Sequence, residues 1–370
     1  MKKICMVTTS RIDIDSRIQN EAAALSKKFE VKILSRQYDQ PETLRNTPYN
    51  LKRISYVKLW PYVLNVLSSI LALSKAAAQE TPDFYHAHDL DGLLATVGAA
   101  RKHKKPLIYD SHELWSENLA NARLKGIGWI IPWLEKRLIR YANAGVTASQ
   151  GFAEALEEKY GKKFILIRNM PELRTMKSSR VNFKEMFPGE VVIVHAGQVG
   201  PSRGIEQLIT MLRYLPTNHI LVFLGGSSYP IIDQKIDEEE MRERVHFVKE
   251  VPPQELVSAL KTADIGIVMT EGKSRSKYLS LPNKLLQYLA AEIPVVASDI
   301  PEHRRIVASE KIGELTEIAP EEIAQKIKTV LKDLPYYKTS LKDLAQNSYN
   351  WQLEGEKLVD FYENFDRSSW

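Results

Sequence analysis

Residues 191–206 read VVIVHAGQVGPSRGIE, and this stretch decides the fold class. Its first six residues, Val191–Ala196, are β-branched or apolar apart from one histidine, which is typical of a buried strand. A helical pattern begins at Ile205, and three glycines lie between strand and helix: Gly197, Gly200 and Gly204. Glycines let a backbone approach a phosphate, a helix start offers free N–H groups, and Arg203 adds a charged donor. The stretch therefore predicts a strand–loop–helix unit that binds phosphate, although the same glycines would also suit an ordinary turn.

The glycine spacing excludes one common class of nucleotide-binding protein. It is not G-x-G-x-x-G, and that fingerprint follows no predicted strand of this chain. A dinucleotide-dependent dehydrogenase is therefore disfavoured.

Short β-branched runs alternate with helical patterns along the whole chain, as in parallel α/β sheets. The predicted strands are Lys3–Thr9, Val31–Ser35, Arg53–Leu59, Phe84–His88, Leu107–Asp110, Gly145–Ser149, Phe164–Ile167, Val191–Ala196, Ile220–Leu224, Val245–Val248, Ile265–Met269 and Pro294–Ser298. Between the seventh and the eighth, residues 171–189 are polar and without period. We predict two doubly wound, Rossmann-like domains, 1–170 and 190–345, joined by a linker at 171–189. Ligands of such sheets bind beyond the carboxyl ends of the strands, so we expect the site in a cleft between the domains.

The composition is that of a globular protein. Of 370 residues, 44% are hydrophobic and 26% are charged, and no apolar run approaches the ~20 residues of a membrane-spanning helix. The apolar run at the N-terminus ends after Val7, which favours a first strand over a signal peptide. The single cysteine, Cys5, lies inside that run, so we expect an inert thiol and a cytoplasmic protein.

Charge is unevenly distributed. Residues 1–172 carry 26 Lys and Arg against 18 Asp and Glu, whereas the rest of the chain carries 25 against 28. A basic first half favours an anionic lipid surface or a phosphorylated acceptor, or is simply a solvated lysine surface. Leu59–Leu73 and Trp129–Tyr141 could be interfacial helices at the inner face of the plasma membrane, or core helices. No nucleic-acid-binding motif is present, so we expect no nucleic acid partner.

A second loop that could carry chemistry is YLSLPNKLLQYLAA at 278–291. Pro282 suits the start of a helix and would place Lys284 in the first turn, where a lysine opposes the helix dipole. This indicates a bound anion near Lys284, or else an ordinary exposed lysine. Gln287 would share a face with Lys284, while the core-facing positions would be Leu285, Tyr288 and Leu289.

The spacing His86-x-His88-x-x-Asp91 raises the alternative of a metal site, because alternate strand residues share a face. No cysteine or further histidine motif supports it. We therefore favour one histidine packed in the sheet and one at the rim of the cleft, with no metal and no cofactor.

Several motifs in a fixed order carry a resemblance to a known family. The second half contains GQVGPSRG (197–204), GG (225–226), VHFVKEV (245–251), ADI (263–265), LPNKLLQYLAA (281–291) and IPVVASD (293–299). The first half contains DSR (15–17) with Glu21, HAHD (86–89) and YDSHE (109–113). In this order the motifs resemble the retaining GT-B glycosyltransferases of family 4, in the variant with Pro-Asn-Lys. The fold implied is GT-B, with a C-terminal segment, 346–370, whose helix Trp351–Tyr362 returns to the first domain.

The resemblance implies a role for each matching residue. Arg203 and Lys284 would neutralise the donor diphosphate, Gln287 would hold the donor ribose, and His112 would face the transferred sugar. The other implied donor-binding residues are Gly197, Gln198, Gly200, Gly204, Gly226, Val248, Lys249, Val251, Ser280 and Asn283. The implied acceptor-side residues are Ser10, Arg11, Arg17 and His88.

Three departures from the family pattern affect the expected function. The two family glutamates, eight positions apart, are replaced by Leu279 and Gln287. Gln198 stands where an arginine is common, and the glycine-rich loop after the first strand is replaced by Thr8-Thr9-Ser10-Arg11. We predict a metal-independent, retaining hexosyltransferase-like enzyme that uses a nucleotide-diphosphate sugar and a glycan or lipid-linked acceptor in glycan, glycolipid or cell-surface polysaccharide synthesis. The alternatives are a catalytically impaired nucleotide-sugar-binding or scaffold protein and a GT-B-fold nucleotide-sugar epimerase.

Overall fold

The computed structural model describes residues 1–40, 42–60, 62–115, 117 and 130–366. The chain folds into two compact units. The first comprises Met1–Arg168 and the chain from Glu354 onward, and the second comprises Asn169–Leu353. Each unit is built around one parallel sheet with helices between successive strands.

The sheet of the first unit has seven strands in the order β3-β2-β1-β4-β5-β6-β7. The strands are β1 (Lys3–Thr8), β2 (Glu30–Arg36), β3 (Asn50–Ile54), β4 (Phe84–His88), β5 (Leu107–Ser111), β6 (Ala144–Thr147) and β7 (Phe164–Leu166). The helices between them are α1 (Ser16–Leu25), α2 (Tyr62–Ala77), α3 (Asp89–His103), α4 (Ile130–Ile139) and α5 (Gln150–Tyr160).

The sheet of the second unit has six strands in the order β10-β9-β8-β11-β12-β13. The strands are β8 (Val191–Ala196), β9 (His219–Leu224), β10 (Val245–Val248), β11 (Ile265–Val268), β12 (Val295–Ser298) and β13 (Gly313–Thr316). The helices are α6 (Phe183–Met186), α7 (Ile205–Thr210), α8 (Pro230–Glu238), α9 (Pro253–Leu260), α10 (Arg275–Tyr278), α11 (Asn283–Ala290), α12 (Pro301–His303), α13 (Pro320–Lys332) and α14 (Leu334–Asn347). Turns of 3₁₀-helix at Leu173–Thr175 and Met211–Tyr214 and a π-helical turn at Arg304–Ala308 complete the unit.

The central strands form because both of their faces can be buried. Every residue of β4, β5 and β9 is buried, as expected for a parallel sheet covered by helices on both sides. In the second unit the apolar core joins these strands to the surrounding helices through, for example, Ile193, Phe223, Ile267, Leu208 and Ile327. The predicted fold class, two Rossmann-like parallel sheets, is confirmed.

One strand prediction was wrong, and one strand was missed. The third strand is Asn50–Ile54, not Arg53–Leu59, because its backbone pairs in parallel with Lys32–Arg36 of β2. The last strand, β13, was not predicted. It begins at Gly313, where a Cβ atom would come within 1.9 Å of the carbonyl oxygen of Val295, so the close pairing with β12 requires glycine there.

Residues 171–189, expected as a linker, belong to the second unit. They contain the turn at Leu173–Thr175 and helix α6, and Phe183 is fully buried with its N–H donating to the Thr262 hydroxyl at 2.9 Å. The last helix, α15 (Trp351–Glu363), has its residues from Glu354 onward in the first unit, where the Tyr362 ring packs edge-on against Phe84. Residues 367–370 of the predicted final segment lie outside the described residues.

The strand orders position the candidate sites. In each parallel sheet, successive strands are first added towards one edge and then towards the other. The change of direction falls between β1 and β4 in the first unit and between β8 and β11 in the second. Loops at the carboxyl ends of the strands beside such a reversal form a crevice for ligands. No described helix is long and apolar enough to cross a bilayer.

Candidate functional site

Three loops of the second unit meet at the carboxyl ends of β8, β9 and β10. The N–H of Gly197 donates to the carbonyl of Leu224 at 2.8 Å, and the N–H of Gly225 donates to the carbonyl of Val248 at 2.9 Å. A methyl group at Gly226 would lie 2.4 Å from the Val199 side chain, so a larger residue would force these loops apart. The result is a surface lined by backbone, to which a ligand can approach closely.

Two glycines of the 197–204 loop are required by their conformation. Gly197 has φ +90° and Gly204 has φ +60°, both in the left-handed region that favours glycine. At Gly204 a Cβ atom would also come within 2.9 Å of the Met269 side chain. Gly200 has neither constraint among the described residues, since a methyl group there would meet open space.

Lys284 is the most unusual residue of the second unit. It lies in the first turn of α11, as predicted, but it is buried, with 9% of its surface exposed. Its Nζ lies 2.8 Å from Nε2 of His195, a fully buried residue near the end of β8. The helix is fixed against this strand by Tyr288, whose hydroxyl donates to the carbonyl of Val194 at 2.9 Å and accepts from the N–H of Ala196 at 2.8 Å.

The surroundings of Lys284 disfavour its charge. Burial lowers the pKa of the amine well below its usual value, and the nearby Arg203 guanidinium lowers it further. The pKa of His195 is also well below its usual value, because of burial and because of the positive charges of Lys284 and Arg203. Arg203, Lys284 and His195 therefore form a basic cluster, which we call the basic triad, in which Lys284 and His195 are buried and Arg203 is half-buried. Such a cluster gains stability when an anion enters.

The other predicted donor-binding residues fall in four places. Gln198, Gly200 and Gly204 lie with Gly197 in the loop after β8, and Gly226 lies in the loop after β9. Val248 is buried at the end of β10, followed by the exposed Lys249 and the half-buried Val251. Ser280, Asn283 and Gln287 lie before or in α11, with Gln287 half-buried one turn after Lys284. Ser280 donates to the carbonyl of Lys277 at 2.9 Å, and Asn283 accepts from the Asn169 amide at 3.2 Å.

A second cluster, in the first unit, is built around Asp110 at the end of β5. The Arg17 guanidinium binds its carboxylate through two nitrogens, at 3.1 and 2.8 Å, and donates to the carbonyl of Ile167 at 2.7 Å. All of Asp110 is buried, and Arg17 is 4% exposed. The fork connects the start of α1 to the sheet through residues far apart in sequence.

His112 lies between two carboxylates. Its Nε2 is 3.1 Å from Asp110 and its Nδ1 is 3.4 Å from Asp89, while its backbone N–H donates to Asp89 at 3.0 Å. Asp89 also accepts from the indole N–H of Trp115 at 2.6 Å and has a left-handed backbone, with φ +60°. Burial lowers the pKa of His112, but Asp89 and Asp110 outweigh it and raise the pKa to about 10. His112 is therefore an imidazolium at neutral pH, with both ring nitrogens facing carboxylates.

His86 and His88 stack on one face of β4, with ring centroids 4.4 Å apart. His86 Nδ1 contacts the Tyr362 hydroxyl at 2.6 Å, and His88 Nδ1 lies 3.2 Å from Asp110. Burial and the neighbouring His86 lower the pKa of His88 to about 3, so it is neutral. Both histidines are fully buried, so the predicted packed histidine is confirmed and the predicted rim histidine is wrong, because the helices that cover the sheet enclose the end of β4 as well.

The carboxylates of this cluster differ in protonation. Burial raises the pKa of Glu21 to about 8, although Arg17 lies 3.0 Å away and opposes the shift. Burial acts on Asp110 as well, but Arg17 and His112 outweigh it and hold its pKa well below the usual value. Asp110 is thus the ionised partner and Glu21 the protonated one at neutral pH.

The ligand atoms of Glu21, His86, His88 and Asp110 lie within 4.8 Å of one another, a grouping that could hold a metal ion. Asp91, the third residue of the motif considered above, is not in this group and accepts a hydrogen bond from the Thr9 hydroxyl. The guanidinium of Arg17 contacts both carboxylates of the group. It already supplies the positive charge that a divalent cation would bring.

The four predicted acceptor-side residues lie in two environments. Ser10 and Arg11 are half-buried just beyond β1. Arg17 and His88 are buried in the cluster around Asp110, so their side chains have almost no surface to offer an acceptor. Their contacts instead hold Asp110 and, through it, His112.

Sequence reasoning gave no role to His195, Asp89 or Asp110. The signal for His195 was a polar residue inside an otherwise apolar strand. Asp89 and Asp110 lie within quoted motifs. The sequence did not show that both contact His112, because Asp89 comes close to Asp110 and His112 only when β4 pairs with β5 and His88 lies opposite Asp110.

Comparison with known proteins connects both units to one enzyme family. Residues 179–351 match the family described as Glycosyl transferases group 1, and residues 15–170 match Glycosyltransferase Family 4. Over 144 residues the chain is 26% identical to glycosyltransferase 1 domain-containing protein 1 of Xenopus tropicalis, a match that spans 37% of this chain and 39% of that protein's length.

The fold is shared with solved structures of low sequence identity. Sucrose-phosphate synthase from Thermosynechococcus elongatus superposes with a TM-score of 0.78 and 16% identity, covering 98% of each chain. HepE of Anabaena, in complex with UDP, has a TM-score of 0.77 and 14% identity over 99% of this chain and all of its own. These likenesses show the GT-B fold, and the two family matches together account for most of the sequence. The chain belongs to the group 1 glycosyltransferases.

Proposed function

We propose that this protein transfers a sugar from a nucleotide-diphosphate sugar to an acceptor hydroxyl with retention of the anomeric configuration. The observation that carries the proposal is the basic triad beside the glycine loop that follows β8. The membership of this chain in the glycosyltransferases supports this donor class, as do the UDP and UDP-glucose bound to HepE.

The basic triad suits a leaving diphosphate. Charge develops on the diphosphate as the sugar–phosphate bond breaks, and preorganised positive groups in a site of low dielectric stabilise it. Arg203 provides a permanent charge. Lys284 is held with a lowered pKa and becomes favourably protonated when the diphosphate arrives. We propose that these two groups act without a metal ion, and that the acceptor proton passes to a departing phosphate oxygen.

Gln287 and the loops beyond β10 would hold the rest of the nucleotide. Gln287 is half-buried on the helix that carries Lys284, so its amide could meet the ribose hydroxyls. The backbone at 248–251 lies at the end of β10, where the carbonyl of Val248 accepts from the N–H of Gly225. This backbone would contact the base.

From the first unit we propose His112 as a positioning residue for the transferred sugar. Because both ring nitrogens face carboxylates, its contribution is a fixed imidazolium charge and a fixed backbone rather than a proton to be transferred. Arg17 and His88 act through this cluster by holding Asp110. Ser10 and Arg11 remain candidates for direct contact with a glycan or lipid-linked acceptor.

A thermal-shift panel of UDP, GDP, ADP and their sugars tests the proposal. A ligand at 100 times its Kd stabilises a protein by about 2.7 kcal/mol, which is readily measured. We expect one nucleotide series to raise the Tm of the wild-type protein and to act much less on an Arg203→Gln variant. If no nucleotide raises the Tm, the proposal is wrong.

Activity then separates the remaining alternatives, using the donor that the panel identifies. Release of nucleoside diphosphate that requires an acceptor, with the product anomer assigned by NMR, would support a retaining transferase. Binding without release indicates a scaffold protein, which the replacement of both family glutamates by Leu279 and Gln287 would allow. Conversion of the sugar without an acceptor indicates an epimerase, the activity assigned to a Listeria monocytogenes protein of the same fold (TM-score 0.67, 12% identity, 99% of this chain and 98% of that one).

A further inference from the structure

One helix of the first unit, α2, has large apolar side chains exposed to solvent in addition to those that pack in the core. The exposed large apolar residues of α2, together with two that precede it in sequence, are called the α2 face: Leu59, Trp60, Val63, Leu64, Leu67 and Leu71. Trp60 is 90% exposed and Leu71 is 63% exposed. Within the helix, the spacing from 63 and 64 through 67 to 71 is that of one side.

The α2 face is not the side that packs on the sheet. Leu73 and Ala77 are fully buried on the opposite side, Ser69 is 1% exposed, and the helix contacts α3 and β2 there. The core-facing stripe of α2 is therefore already satisfied. A second, exposed stripe of large apolar residues is a feature of interaction surfaces.

The stretch of chain that carries the α2 face has an excess of basic residues. From Thr43 to Gln79 the chain carries five basic residues and no aspartate or glutamate: Arg45, Lys52, Arg53, Lys58 and Lys75. Arg53 is paired with Asp13 and Glu42, and Lys58 with Asp39. The Lys58 pair is exposed on both sides, so it contributes little and can be exchanged for another anion.

This combination selects among occupants. A second copy of the chain would bring the same excess of basic residues against the first, and like charges at an interface oppose association. A bilayer with anionic headgroups offers both an apolar phase for the leucines and negative charge for the lysines. Trp60, at one end of the stripe, belongs to the residue type that prefers the membrane–water interface.

We propose that the α2 face inserts into the interfacial layer of an anionic membrane, with α2 parallel to the surface. Helix α4 lacks such a stripe among its described residues: its exposed apolar residues are Ile130 and Trp133, and the Arg137 guanidinium covers the Trp133 ring at 5.7 Å. Trp129, part of the second helix considered from the sequence, lies outside the described residues. The proposal does not depend on the donor or on catalysis.

Flotation of the full chain with lipid vesicles tests the proposal. The vesicles are phosphatidylcholine alone, or phosphatidylcholine with one third phosphatidylglycerol. We expect binding to the anionic vesicles that exceeds binding to the neutral ones by about tenfold or more at low salt, and that weakens as the Debye length falls to about 8 Å. Because the α2 face is exposed, Trp60→Ser with Leu67→Gln should fold normally and reduce binding by at least about tenfold, given the apolar area removed.

A control double variant removes two exposed large side chains from the second unit. Ile231→Gln with Tyr336→Ser should bind vesicles like the wild type. The proposal is overturned if neither vesicle binds, if both bind equally, or if the two double variants behave alike. Sedimentation that shows a dimer abolished by Trp60→Ser with Leu67→Gln would overturn it as well, because a second copy would then be the occupant.

Discussion

Replacing Lys284 by methionine should separate diphosphate binding from folding. Methionine keeps most of the length and apolar character of the lysine stem, which is buried in α11, and removes the amine. If Lys284 binds the donor diphosphate, the variant loses one hydrogen bond from a charged group. Nucleosides lack the phosphates and should bind the variant like the wild type.

The size of the effect follows from the position of the amine. Hydrogen bonds to charged groups contribute about 1.5–3 kcal/mol, which corresponds to a loss of about 10- to 150-fold in affinity. Burial and Arg203 lower the pKa of Lys284, so protonation of the amine on binding consumes part of that energy. We therefore expect a loss near the lower end of this range at pH values above the lowered pKa of the amine.

The same geometry predicts proton uptake. The free protein holds Lys284 with a lowered pKa, and the diphosphate raises that pKa, so binding takes up a proton at pH values between the pKa of the free amine and that of the bound amine. The affinity of the wild type should thus fall as the pH rises, by up to about tenfold per unit. Lys284→Met should lose this dependence.

Calorimetric titration in two buffers of different ionisation enthalpy measures both affinity and proton uptake. Lys328→Met, on the exposed side of α13, is the matched control and should bind like the wild type. Lys284→Met loses the contact with His195 but also removes a buried amine, so the Tm of the free protein should change little. Equal losses for nucleoside and nucleoside diphosphate, or unchanged proton uptake, would refute the assignment of Lys284.

Three further predictions concern single side chains. His112→Ala should lower the free energy of unfolding in urea by about 2–4 kcal/mol, somewhat less than for a fully buried pair, because Asp89 and Asp110 would be left facing each other. Nucleotide affinity should stay within about threefold while turnover falls about a hundredfold. Unchanged turnover would make His112 a structural residue. Gln287→Glu should change donor affinity by no more than about 1 kcal/mol, and Gln287→Leu should weaken ribonucleotides more than 2′- or 3′-deoxy analogues in a binding titration; a Leu variant that loses nothing would exclude the ribose contact. Burial raises the pKa of Glu21 from 4.5 to about 8, so this residue disfavours the folded state increasingly as the pH rises between these values. Glu21→Gln should therefore gain stability relative to the wild type from about pH 5 to pH 8 in the same unfolding assay. Stability–pH curves that run parallel for the two proteins would contradict this.

The sequence was enough to predict the architecture of both sheets. Most strands were found to within a residue or two, because a strand buried on both faces, such as Phe84–His88 or Val191–Ala196, is a continuous apolar run bounded by turn residues. The glycine loop after β8 and the start of α11 at Asn283 could be predicted for the same local reasons. The third strand could not, because its position depends on its pairing with β2.

The contacts that define the two clusters were decided by tertiary structure. Lys284 and His195 are separated by 89 residues, and Arg17 and Asp110 by 93, so no local pattern connects them. Their protonation depends on burial and on neighbouring charges, which exist only once the sheets have formed. The apolar stripe of α2 shows the same limit: the sequence left core and surface as alternatives, and only the packing of Leu73 and Ala77 on the sheet left the leucines and Trp60 exposed. Hydrophobic periodicity identifies a helix face, but which face is buried is set by the elements that pack against it.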